Sequence, residues 1–104
     1  MTATEFRQLA LSFPDTIESA HMNHPDFRTG GKIFATLSRE EDYGVVMLSP
    51  EKQKEFLSAA PAALSPAAGA WGRNGSTRVH LADAKLAIVR KAMRAAWEKR
   101  AIKR

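Results

Sequence analysis

Hydrophobic residues in this chain recur at helical spacing at its two ends and at strand spacing between them, and few folds satisfy both. Phe6, Leu9, Ala10 and Phe13 follow the i, i+3, i+4, i+7 pattern of one helix face. Thr2, with Glu5 three residues on, supplies a capping box ahead of them. Pro14 stops this helix, because the residue before a proline is driven out of the α region. Towards the other end, Leu86, Val89, Met93, Ala96 and Trp97 form a second stripe, with Asp83 placed to cap it and Trp97 in the core. Between the helices, Gly30-Gly31 signals a turn, after which Ile33, Ala35 and Leu37 share one face at period two. Tyr43-Gly44-Val45-Val46-Met47-Leu48 is rich in strand formers, and the polar link from Arg39 to Asp42 makes these two strands a hairpin.

The remaining segments fill in the order. Ser49, Pro50 and Glu51 read as N-cap, first helical position and first turn of a short helix that runs through Phe56 and Leu57 and ends before Pro61. Thr77, Val79 and Leu81 alternate with Arg78 and His80, which predicts a strand with a basic outer face. Thr16 to Phe27 is mixed: Ile17, Ala20 and Met22 alternate weakly, and one ill-bounded strand is expected there. Residues 61–75, which include Gly69-Ala70-Trp71-Gly72-Arg73-Asn74-Gly75, form a long loop of the kind that carries binding elements. The expected order is α-β-β-β-α-β-β-α. That is a single α+β domain over residues 1–104, a two-layer sandwich with an antiparallel sheet of about five strands and helices on one face.

Composition removes several classes of protein. The 104 residues leave room for one domain only. A hydrophobic share of 44% is too high for a disordered chain. No apolar run approaches the ~18 residues of a membrane span, so no membrane role is expected. The first residues lack a basic region followed by an apolar stretch, so no secretory signal is expected and the cytoplasm is the default location. With no cysteine, disulfide scaffolds, thiolate metal sites and cysteine nucleophiles all fall away. No apolar helix is left unexplained, which predicts a monomer.

Charge is unevenly divided. Residues 1–52 hold five Lys/Arg against eight Asp/Glu, whereas residues 53–104 hold eleven against three. From Arg73 onward ten basic residues face only Asp83 and Glu98. Such an asymmetry suits a surface that meets a polyanion, most often nucleic acid, although a solvated Lys/Arg-rich helix would look the same.

The run His24-Pro25-Asp26-Phe27-Arg28, followed by Gly31-Lys32-Ile33-Phe34-Ala35-Thr36-Leu37, resembles the signature of the MmcQ/YjbR family. Gly69-Ala70-Trp71-Gly72-Arg73 and the Ala95-Ala96-Trp97 of the last helix extend the resemblance over nearly the whole chain. Ser76 departs from the pattern, in which a second aromatic often follows the glycine, so no stacking role carries over to it. The resemblance implies a small α+β fold related to frataxin-like and secretion-chaperone-like sandwiches. It also implies DNA binding through a double-wing motif in a bacterial protein.

No nucleophile, zinc-protease or phosphate-loop motif is present, and neither an enzyme nor a cofactor is expected. His21 and His24 stand three apart, but with His80 remote they do not make a metal set, and His24 is expected to bond backbone. Glu40, Glu41 and Asp42 read as a solvated hairpin tip and not as a metal ridge. Trp71 allows two readings: it stacks on an unpaired base, or it folds back as an anchor, the commoner fate of so large a side chain. Arg90, Lys91 and Arg94 project together beside the apolar stripe of the last helix, with Glu98 close enough to neutralise part of the group. The leading expectation is a non-enzymatic DNA-binding module whose contacts are Trp71, Arg73, Arg78, Arg90, Lys91 and Arg94. The alternatives are a protein-interaction or chaperone-like adaptor, and a pocket for a small anionic ligand.

Overall fold

The capping box forms as the sequence predicts. In a computed structural model, which describes residues 1–101, Thr2 Oγ1 accepts from the Glu5 amide and Glu5 Oε1 accepts from the Thr2 amide. Lys103 and Arg104, counted in the basic half, lie outside the described residues. The first helix, α1, covers Ala3–Leu11, and its buried face is Phe6, Leu9 and Ala10. Four strands follow: β1 (Thr16–His21), β2 (His24–Thr29), β3 (Lys32–Leu37) and β4 (Tyr43–Met47). Helix α2 spans Pro50–Ala59 with Ser49 as N-cap, bonded to the Lys52 amide. Then come β5 (Leu64–Pro66), a short helix α3 (Gly69–Arg73), β6 (Ser76–His80) and the long helix α4 (Leu86–Ala101).

The strands make one antiparallel sheet in the order β1-β2-β3-β4-β6-β5. Alternation sends Phe27, Ala35, Val46 and Val79 to one side, where they meet Phe6 and Leu9 of α1 and Val89, Ala92, Met93 and Ala96 of α4. Phe56 and Leu57 bring α2 into the same layer. The α+β sandwich with helices on one face is therefore correct. Among the described residues no helix is long and apolar enough to cross a membrane.

The sheet has six strands where about five were expected, and the details differ in further places. Thr16 to Phe27 is not one strand but most of a hairpin, turned by Met22 and Asn23, both at positive φ. The β2–β3 ladder slips by one residue at Phe27/Arg28, so Phe34 and Ala35 are both buried and Ile33 leaves the core face that strict alternation assigned to it. Asp83 does not cap α4; it closes a single 3-10 turn, Leu81–Asp83, ahead of the helix, and Leu86 is 45% exposed at the helix start. Trp97 is only partly buried: its ring stacks on Phe13 at 5.8 Å and its Nε1 donates to Pro14 O at 3.1 Å, at the margin of the core.

Candidate functional site

Among the described residues, the second face of the sheet carries no helix layer. One cross-strand row on it reads Asp26, Thr36, Val45, Arg78 and Ser65, from β2 through β3, β4 and β6 to β5. Tyr43 and His80 are paired in the register two residues further along. This face forms the floor of a broad depression of about 1000 Å³.

At the β2 end the floor is built on a buried carboxylate. Asp26 is fully enclosed, and Arg28 holds it with a fork of two bonds, Nε at 2.8 Å and Nη2 at 3.1 Å. His21 Nδ1 lies 2.6 Å from Oδ2, the oxygen that Arg28 Nη2 also bonds. The Arg28 guanidinium holds the Asp26 carboxyl below its ordinary range, burial opposes that shift, and His21 adds to it. The same pairing raises Arg28. His24 lies directly across the ladder from His21, ring centroids 4.4 Å apart and edge-on. The backbone bond expected for His24 is not made among the described residues: its Nδ1 is buried and has no partner there.

At the β6 end, the Arg78 guanidinium carbon lies 4.1 Å above the Tyr43 ring, a cation–π contact that fixes the side chain across the floor. Its Nε is buried and has no partner among the described residues. His80 Nε2 pairs with Ser65 Oγ at 2.8 Å on the adjoining strand. No group of three or more metal-ligating side chains assembles among the described residues.

Trp71 stands on the rim and is 69% exposed, so the anchor reading of this residue is overturned. Two glycines and a glutamine hold it there. A side chain at Gly72 would strike the Ala67 carbonyl, and Gly75 adopts φ of 111° while pressed against Leu48 O. Gln53 of α2 donates to both Gly72 O and Ser76 O, at 2.9 and 3.0 Å, clamping the segment to β6. Residues 61–75 are thus not an open loop but a short strand and one helical turn.

The six contacts read from the sequence are split by the fold. Trp71 and Arg78 meet at the depression. Arg73 is exposed at the end of α3 and does not line it. Arg90, Lys91 and Arg94 are exposed on α4, in the covering layer, where Arg90 borders a shallow recess with Glu5 and Gln8. Four cations outside the six expected contacts take their place. Arg28, Lys32 and Arg39 come from the acidic half of the chain, and Arg100 reaches in from the end of α4 while bonding Ile33 O. Together with Arg78 they face a single lining carboxylate, Glu40. Glu41 is drawn away to Arg7, and Asp42 to Ser38. Once β2 is seen as a strand, His24, Asp26 and Arg28 share a face; the missing signal was the hairpin.

A scan against protein-family models matches the chain to YjbR over residues 11–99. No curated protein matches it. Among solved structures it is similar to the crystal structure of Deinococcus radiodurans protein DR2400, a DUF419 domain, with a TM-score of 0.80 over 98% of this chain and 80% of that one. The two are 16% identical, a level at which the likeness speaks for the fold alone.

Proposed function

The chain belongs to the YjbR family, and from that footing we propose that it is a small DNA-binding module without a catalytic centre, which takes phosphates on the open face of its sheet. One observation carries this reading: among the described residues, five cationic side chains and one carboxylate line a depression that no other element roofs. Phosphate oxygens are the commonest partners of such an array, and arginine forks suit them better than any other side chain. Asp26, buried beneath the floor, is matched by Arg28 and offsets that one cation, so Lys32, Arg39, Arg78 and Arg100 carry the excess over Glu40. In this reading the contacts come from both halves of the chain, and Arg90, Lys91 and Arg94 make at most a secondary stripe. The protein acts as a cytoplasmic monomer.

Salt dependence tests it. Each neutralised phosphate should add about −0.9 to the slope of log K against log salt on duplex DNA and about −0.7 on a single strand. Changing Lys32 and Arg78 together to alanine should flatten the slope by roughly 1.4 to 1.8. Changing Arg90 and Arg94 together should leave it within error. Absence of binding at low salt sinks the reading, and a slope that responds only to the α4 pair moves the interface to the helices.

An adaptor role is favoured by a different observation. β1 is a sheet edge six residues long with Ile17 62% exposed, and Met22 at its turn is 78% exposed. A partner adding a strand there would bind without salt dependence and be lost on Ile17→Asp.

A further inference from the structure

We infer that the DNA taken up by the open face is single-stranded where it crosses, with one base lying on Trp71 and phosphates reaching Arg78 and His24; this rests on the DNA-binding reading above. The buried side-chain polar atoms without a partner, among the described residues, are Arg78 Nε and His24 Nδ1. Both belong to residues of the same depression. Buried donors are nearly always satisfied in native proteins, and these two, closed to solvent in the unliganded chain, become available to a group from outside once the Arg78 and His24 side chains turn towards it. Arg78 Nε–H can only donate, and His24 Nδ1 donates in one tautomer and when protonated, so an anionic oxygen satisfies both.

The spacing argues for a chain. β3 and β4 separate the strands that carry His24 and Arg78, and three ladder steps amount to about 14 Å. A single phosphate does not span that distance; consecutive phosphates of a strand do. The rim argues for an unpaired one. Trp71 presents most of its indole to solvent, the indole N–H has no hydrogen-bond partner among the described residues, and its backbone segment is held by Gly72, Gly75 and Gln53. An exposed aromatic beside a cationic groove is the arrangement that stacks single-stranded bases, whose flat faces a duplex keeps buried in its own stack. A duplex resting on the rim would leave both floor atoms unmatched.

The experiment titrates the full chain at low salt with a short oligothymidylate, a blunt duplex of the same length and thymidine monophosphate. Binding is read by anisotropy and by tryptophan quenching in a Trp97→Phe background that leaves Trp71 as the sole tryptophan. The oligothymidylate should bind at least tenfold tighter than the duplex and the mononucleotide, and quench Trp71. Trp71→Ala should weaken single-strand binding by about 5- to 100-fold, from the loss of one stacked base, while leaving duplex binding unchanged. Trp71→Phe should restore most of it. Trp71 is exposed, so equal melting temperatures for these variants are expected and exclude misfolding as the cause. Duplex bound as tightly as single strand, or Trp71→Ala without effect on single strand, overturns this inference and leaves the DNA-binding reading standing. Equal affinity for thymidine monophosphate makes the ligand a free nucleotide and overturns it too. No binding to either DNA form removes both.

Discussion

The ring of Phe6 occupies the place where a side chain on Gly44 would stand: a Cβ there would come within 2.5 Å of the ring's Cζ and 2.6 Å of Cε2. Phe6 is fully buried and tilted against Phe27 at 6.3 Å, so it has no vacant direction in which to swing. α1 is seated on β4 through this pairing of a large residue with none. Gly44→Ala should therefore destabilise by about 1–3 kcal/mol, as overpacking of a filled core does. In a domain of this size each kcal/mol lowers the melting temperature by roughly 4–8 °C. A melting curve that does not move would mean that Phe6 is not fixed against the sheet.

Asp26 makes stability depend on acid. Its carboxyl titrates below the ordinary value of 3.8 in the folded chain, first because Arg28 bonds the ionised form. The unfolded chain then binds more protons through that window, so stability rises with pH there. The contribution is complete above 3.8 and is lost as pH falls from that value through the folded pKa. Asp26→Asn should cost about 1.5–3 kcal/mol at neutral pH, the range for charge-assisted bonds. The deficit relative to the parent should shrink on acidification through this range. Urea unfolding across that range reads both; parallel curves for the two proteins would refute the assignment.

Trp97 sits at the edge of the core and not within it, which lowers the expected cost of removing it. Full burial of an aromatic is worth about 3–5 kcal/mol on truncation, and the partly exposed Trp97 should lose about 2–3. Trp97→Phe keeps the stack on Phe13 and gives up only the bond to Pro14 O, about 1 kcal/mol. Thermal melts of the two variants should rank in that order.

How much of this could be read from residues alone follows from where the signals lie. α1, α2 and the buried stripe of α4 were legible because caps and apolar spacing are local. The β1–β2 hairpin was not, because Met22 and Asn23 take positive φ without a glycine to announce it, and β1 is too exposed to show an apolar alternation. Ile33 was put on the wrong face because a bulge is a property of a ladder and not of one strand. Arg78 was legible from its alternation with Val79. Arg28, Lys32 and Arg100 were not, since only the fold brings the β2–β3 hairpin and the end of α4 to one floor. Arg90 and Arg94 cluster in sequence as expected, yet the layer they belong to is decided by which side of α4 the core claims.

The uncovered sheet face also has a consequence for how such a protein changes over generations. Along β4 and β6, neighbouring residues answer to different demands: Val46 and Val79 to cohesion, Val45 and Arg78 to whatever arrives from solvent. A replacement at the second kind of position alters what is recognised and removes little from what holds the chain together. Specificity can therefore drift while the architecture stands, one residue at a time, on strands whose alternate positions never move.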